Sequence, residues 1–246
     1  KLEHDLRARF TSEDLRQASG VIRETVPQIR EMFANARMNN VLSIGKVDSA
    51  ADLIFSIAED SLAAIVGISR LKQMDQHTFL HSLAVSALLV SFARTLELDE
   101  SQIRELAVAG LVHDLGKMAM PTDILLSSRK LSEKDFAIIK THPIKGFEIL
   151  NRFGDLPQTV LDVCLYHHEK VDGTGYPHGL GGDGIPMTAR IAAICDVYEA
   201  LTTIRPYKPA WTQAQAVERM LMSPGHFDRK LLNVFVSKMV IRGMIS

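Results

Sequence analysis

The chain holds only two cysteines and one tryptophan in 246 residues. Cys164 and Cys195 form no CxxC pair, so neither a disulfide scaffold nor a thiolate metal cage is available, and their scarcity fits a reducing, cytoplasmic compartment. Both read as small buried packing residues. Charge of one sign is missing too: 28 Lys and Arg face 29 Asp and Glu, a formal net charge of −1. Nothing therefore drives the whole molecule toward DNA, RNA or an anionic membrane. Long hydrophobic runs are scarce. The stretch from Leu83 to Ala93 is interrupted by Ser86 and Ser91 and falls short of a bilayer span, so no membrane crossing is expected. The chain begins at Lys1 rather than Met and reads as a fragment, with a targeting or sensory segment upstream left open.

A hydrophobic share of 46% with 23% charged residues suits a globular chain with a sizeable core, and the length fits one main domain with an appendage. Apolar residues recur at helical spacing almost throughout, as at Leu80, Leu83, Ala84, Ala87, Leu88 and Phe92, while strand-type alternation is hard to find. The fold class is all-α. Helices are predicted over 11–38, 49–70, 75–97, 101–116, 132–150, 156–168, 188–202, 212–222 and 228–241, with Ser101, Ser132 and Thr188 at helix starts. Residues 1–70 form a helical lead-in that could serve as a linker, a dimerisation surface or plain core packing; residues 71–246 form the main domain. The stretch from Val171 to Pro186 carries six glycines and Pro177 as well as Pro186, which makes it a loop. A loop of that length inside a compact domain is usually functional or disordered.

The chemistry concentrates in chargeable residues set on apolar elements. His113 and Asp114 follow the apolar run from Leu106 to Val112, where an unpaired Asp would be costly to bury. His81 lies on an apolar helix, His142 follows Thr141 inside the predicted helix 132–150, His167 and His168 close a helix, and Asp196 interrupts an apolar run. One such histidine is more often a satisfied core residue than a ligand, but seven such residues point to metal. Imidazole and carboxylate without thiolate suit iron, manganese, nickel or zinc in an open catalytic site. Seven ligands exceed one ion's needs. Two ions ~3.5 to 4 Å apart, bridged by a carboxylate such as Asp114, would hold a water of lowered pKa for in-line attack on phosphorus. Lys117, four residues after His113, shares its face if the helix continues, and can stabilise charge on a phosphoryl oxygen.

Four motifs occur in order: HisAspLeuGlyLys at 113–117, HisHisGlu at 167–169, AspGlyThrGlyTyrPro at 172–177 and ArgProTyrLys at 205–208. Together they resemble the HD-GYP subgroup of the HD phosphohydrolases, from about Asp75 to Lys208. The resemblance implies an HD-domain helical bundle with a GYP-type C-terminal extension around two or three metal ions. It assigns His81, His113, Asp114 and Asp196 to a first ion and Asp114, His142, His167 and His168 to a second, with Asp114 bridging. Iron or manganese is favoured, with zinc, nickel and cobalt as alternatives. Lys117, Tyr176, Arg205 and Lys208 are implied as substrate contacts, and Asp114 and Lys117 as catalytic residues. Some family members carry a Glu one turn before the first histidine to help hold a third ion. Here His77 stands there, which leaves a third ion open. Glu169 is expected to orient a ligand histidine or cap a helix, and His4, His178 and His226 to lie at the surface.

The implied activity is hydrolysis of cyclic di-GMP to pGpG and onward to GMP in bacterial signalling, with GGDEF-domain proteins as partners and a homodimer as candidate assemblies. A catalytically silent cyclic-dinucleotide sensor or GGDEF-binding module is the alternative, disfavoured because degenerate members usually lose ligands and this chain keeps them. Base specificity among cyclic dinucleotides rests on the resemblance alone.

Overall fold

The computed structural model describes residues 6, 8–38, 44–70, 77–125, 127, 129, 131–152, 154–203 and 210–241, with backbone alone at Ile44 and His77. Among them every regular element is helical, and one isolated bridge joins Asp172 to Gly181. The predicted all-α class is what the structure shows.

Helix α1 (Ser12–Arg37) opens on a capping box between Thr11 and Asp14 and buries Ala18, Val21, Ile22, Val26, Ile29, Met32, Phe33 and Ala36. That spacing is the inward stripe of an amphipathic helix. The predicted helix 49–70 is two: α2 (Ile44–Ser56) and α3 (Glu59–Ser69). The break falls at Ile57 and Ala58, with neither glycine nor proline to announce it. Helix α4 (His77–Thr95) is the central element, packed on α1, α3, α5 (Glu100–Val112) and α10 (Met187–Thr202). Every residue from Leu80 to Ala93 is buried. Its window Thr78–Thr95 is long and apolar enough to cross a membrane by length and composition, unlike the shorter run noted in the sequence, but 78% of it is buried inside the fold. A helix apolar on all sides belongs to the middle of a core. Each fully buried Leu or Phe there, such as Leu88 and Phe92, contributes about 1.5–3 kcal/mol.

Helix α5 starts at the N-cap Asp99, whose side chain accepts the Gln102 N–H, two residues before the expected cap Ser101. It ends at Val112. His113 and Asp114 form a turn, a 3₁₀ helix covers Leu115–Ala119, and a short α6 covers Thr122–Leu125. The predicted helix 132–150 also divides, into α7 (Glu133–Ile139) and α8 (His142–Leu150), with Pro143 in the first turn of α8. Proline has no N–H to donate and its ring crowds the carbonyl four residues back, which favours a break before it, although α1 runs on through Pro27. Ser132 caps α7 as expected, with Asp135 completing a capping box. Helix α9 (Gln158–Tyr166) packs on α5, α8 and α10. Thr188 lies inside α10 rather than capping it. Helices α11 (Gln213–Leu221) and α12 (Arg229–Val234), the latter running into a π-helical stretch at Phe235–Val240, complete the described chain. Cys164 and Cys195 are buried free thiols, as expected.

Candidate metal centre

Five elements deliver the polar cluster: α4 brings His81, the turn after α5 brings His113 and Asp114, α8 begins with His142, α9 ends into His167 and His168, and α10 carries Asp196. One close contact helps to shape it. A β-carbon at Gly116 would overlap the carbonyl oxygen of His142 and lie 2.9 Å from Cα of Gly146, so only glycine lets the 3₁₀ turn press against α8. His142 is thus not mid-helix as the sequence suggested; the break before Pro143 puts it at the start of α8, facing Asp114.

The ligand atoms gather into two sets, His81, His113 and Asp196 in one and Asp114, His142, His167 and His168 in the other. Asp114 reaches both. Its Oδ2 lies 3.4 Å from His113 Nε2 and 3.6 Å from His81 Nε2, and its Oδ1 lies 3.3 Å from His142 Nε2 and 3.9 Å from His167 Nε2. Asp196 Oδ1 lies 3.1 Å from His81 Nε2 and 3.9 Å from His113 Nε2. All seven residues named from the sequence are therefore in one place.

The imidazoles are held from behind. Nδ1 of His113 faces the Gly110 carbonyl at 2.9 Å, Nδ1 of His142 faces that of Ile139 at 2.8 Å, and Nδ1 of His167 faces that of Val163 at 2.9 Å. A carbonyl can only accept, so each Nδ1 carries the proton and each Nε2 of a neutral ring turns its lone pair inward. Nε2 of His113 and Oδ1 of Asp114 are buried and make no hydrogen bond. Buried polar atoms without a partner are costly, and inward lone pairs beside two carboxylates are what a divalent cation would satisfy. The residues present fit a metal centre.

Burial alone would raise Asp114, but the Lys117 ammonium and the His113 imidazole outweigh it and hold the carboxyl well below the usual range. Asp196 is likewise held low against its burial, chiefly by its hydrogen bond to His81. Burial, reinforced by His168, pushes His167 well below the ordinary imidazole value, and burial pushes His168 down to about 3. Burial opposes charge on His81 as well, yet Glu199 and Asp196 prevail and raise it to about 10.

Lys117 arrives by a different route from the one expected. The helix does not continue past Val112, and the 3₁₀ turn lays the Lys117 ammonium against Asp114 Oδ2, one turn back. Tyr176 stacks on His168 with ring centroids 4.8 Å apart, and the Lys140 ammonium sits 5.4 Å from the Tyr176 centroid. Glu169 orients no ligand histidine. It is buried and accepts the backbone N–H groups of His178, Gly179 and Leu180 at 2.7, 3.1 and 3.1 Å, which anchors the glycine-rich loop. Gly175 permits the loop's approach, since a β-carbon there would lie 2.5 Å from Cα of Glu169. Behind the loop, Val171 and Asp172 donate to the carbonyls of His226 and Gly225. His226 is half-buried rather than a plain surface residue, while His178 is exposed. Arg205, Lys208, His4 and the side chain of His77 lie outside the described residues.

One residue escaped the sequence reading. Glu199 is buried on α10, and its Oε2 accepts from Nδ1 of His81 at 2.5 Å. The signal was present: a second carboxylate one turn after Asp196 in an apolar helix needs a partner as much as the first.

Comparison with known proteins agrees with this geometry. The chain is 40% identical over 91% of its length to a cyclic di-GMP phosphodiesterase of Pseudomonas aeruginosa, and 35% identical over 91% to the cyclic di-GMP phosphodiesterase response regulator RpfG of Xanthomonas campestris. It spans 54% and 64% of the lengths of those relatives. Among solved structures it resembles Bd1817, an HDG"Y"P protein from Bdellovibrio bacteriovorus, with a TM-score of 0.70 at 19% identity, covering 95% of this chain and 74% of that one. That likeness shows the shared fold. A family model described as HD domain matches residues 53–231, a span that contains every residue of both ligand sets, and the chain accordingly belongs to the HD domain family.

Proposed function

We propose that the chain is a metal-dependent phosphodiesterase that opens a 3′,5′-phosphodiester of cyclic di-GMP to give pGpG, and then GMP. The observation that carries this reading is the pair of ligand sets meeting at Asp114, with the Lys117 ammonium beside them. His81, His113, Asp114 and Asp196 would hold one divalent ion and Asp114, His142, His167 and His168 a second, iron or manganese in our reading. Such ions supply Lewis-acid stabilisation of a phosphoryl oxygen and a lowered pKa for the attacking water.

The chain's own residues then have distinct tasks. Lys117 balances the charge that develops on the phosphoryl oxygens, an electrostatic task suited to a fixed ammonium. Tyr176, held against His168, offers an aromatic face to the substrate side. Arg205 and Lys208, as the family resemblance implies, bind the phosphates. Glu169 keeps the loop that carries Tyr176 in place. The names of the relatives support cyclic di-GMP as substrate. Residues 1–70 we read as a helical lead-in, a linker or dimerisation surface whose α1 and α3 also pack on α4; the cytoplasm is our reading of the place of action and GGDEF-domain proteins of the partners.

The test is to prepare the chain anaerobically and incubate it with cyclic di-GMP, 3′3′-cGAMP and cyclic di-AMP, separating products by chromatography. pGpG from cyclic di-GMP supports the reading. Bound metal with no product from any of the three would instead favour a sensor that signals by conformation, and cleavage confined to another dinucleotide would change the substrate.

A further inference from the structure

Glu199 belongs to neither ligand set, yet it is tied to one of them. It is 1% exposed and follows Asp196 by three positions on α10, hence on the same face. Its Oε2 accepts from His81 Nδ1 at 2.5 Å, while its Oε1 accepts the Thr203 hydroxyl at 2.7 Å. Both carboxylate oxygens are thus engaged, and the side chain is held in one orientation. The Nδ1 atoms of His113, His142 and His167 are held by main-chain carbonyls instead.

This difference separates the two sets. A carboxylate behind an imidazole fixes the tautomer and the ring plane and makes the opposite nitrogen a stronger ligand. It also adds charge. Beside the shared Asp114, the set of His81, His113 and Asp196 has Asp196 as a member and Glu199 directly behind it, whereas the set of His142, His167 and His168 has Asp114 as its carboxylate. A cation of charge two gains more from the first arrangement, since the attraction scales with the product of charges.

We infer that Glu199 is a positioning residue for His81 and makes the His81, His113 and Asp196 set the tighter of the two cation positions. The inference rests on the reading of both sets as cation sites.

Metal-free chain is titrated with Mn²⁺ by calorimetry at about pH 8, since ligands bind in their deprotonated forms. Wild type takes up two ions in two steps of unequal affinity. In Glu199→Gln the tighter step weakens roughly 10- to 100-fold and the weaker step is unchanged. His81→Ala removes the tighter step and His167→Ala the weaker, which places each. Circular dichroism shows whether each variant folds. Should Glu199→Gln not fold, Thr203→Val, which keeps the carboxylate but drops one of its two anchors, weakens the same step by less. A tighter step untouched in these variants, or loss of the weaker step instead, overturns the inference alone. No Mn²⁺ uptake by wild type overturns the cation reading and the inference with it.

Discussion

Gly116 lies directly against the carbonyl oxygen of His142, so close that a β-carbon would overlap it. This contact sets the distance between the turn that carries Asp114 and the helix that begins with His142, whose Nε2 stands 3.3 Å from Asp114 Oδ1. The glycine in the HisAspLeuGlyLys motif is therefore a spacer for the metal centre.

Gly116→Ala must push α8 away from the 3₁₀ turn. The expected cost is that of overpacking, about 1–3 kcal/mol, seen as a lowered melting temperature. Metal titration should show one set weakened, that of His142, His167 and His168, because His142, at the start of α8, moves away from Asp114 while His81, His113 and Asp196 do not depend on the contact. Equal weakening of both sets would mean that the strain spreads beyond α8.

Lys117→Ala removes a positive charge that rests on Asp114. Taking away a cation next to the shared carboxylate cannot weaken divalent binding by Coulomb's law, so metal content should be kept. Turnover should fall roughly 100- to 1000-fold, the size expected for losing one preorganised charge-stabilising group. Metal analysis beside steady-state kinetics checks both parts. Loss of metal would reassign Lys117 to structural support.

Most of the centre was legible because each ligand is a chargeable residue in an apolar context, where an unpartnered group is costly. His81, His113, Asp114, His142, His167, His168 and Asp196 all satisfy that rule. Glu199 satisfies it too, as a second carboxylate in the same apolar helix. The split of 132–150 was also readable, from Pro143. The break at Ile57 was not, as no breaker marks it and the carbonyls of Phe55 and Ile57 are taken up by the distant Arg94 guanidinium. Lys117 was placed by extending a helix that ends at Val112. The 3₁₀ turn replaces four-residue spacing with three and so brings Lys117 to Asp114.

His226, which belongs to neither ligand set, gives a pH signature of its own. Burial, aided by Lys170 and opposed by Asp172 and Asp196, lowers it to about 4 from 6.5. A histidine with a depressed pKa in the folded state stabilises above its unfolded value and loses that contribution as pH falls toward the folded one. The melting temperature of wild type should therefore drop between about pH 6.5 and 4 more steeply than that of His226→Gln. Because the carbonyls of Gly225 and His226 hold Asp172 and Val171, the loop carrying Tyr176 should loosen over the same interval, read by amide hydrogen exchange. Parallel melting curves for the two proteins would remove His226 from the account.

A phosphodiesterase whose two cations share Asp114 should lose both on Asp114→Ala, which a paired comparison with wild type measures. Both are purified anaerobically, bound metal is counted, and cyclic di-GMP is followed by chromatography. Wild type should hold two metals and release pGpG, with both lost in the variant because neither neighbouring set can replace the shared carboxylate. Undiminished metal content in Asp114→Ala would contradict the shared-ligand centre, and undiminished turnover would contradict the reaction built on it.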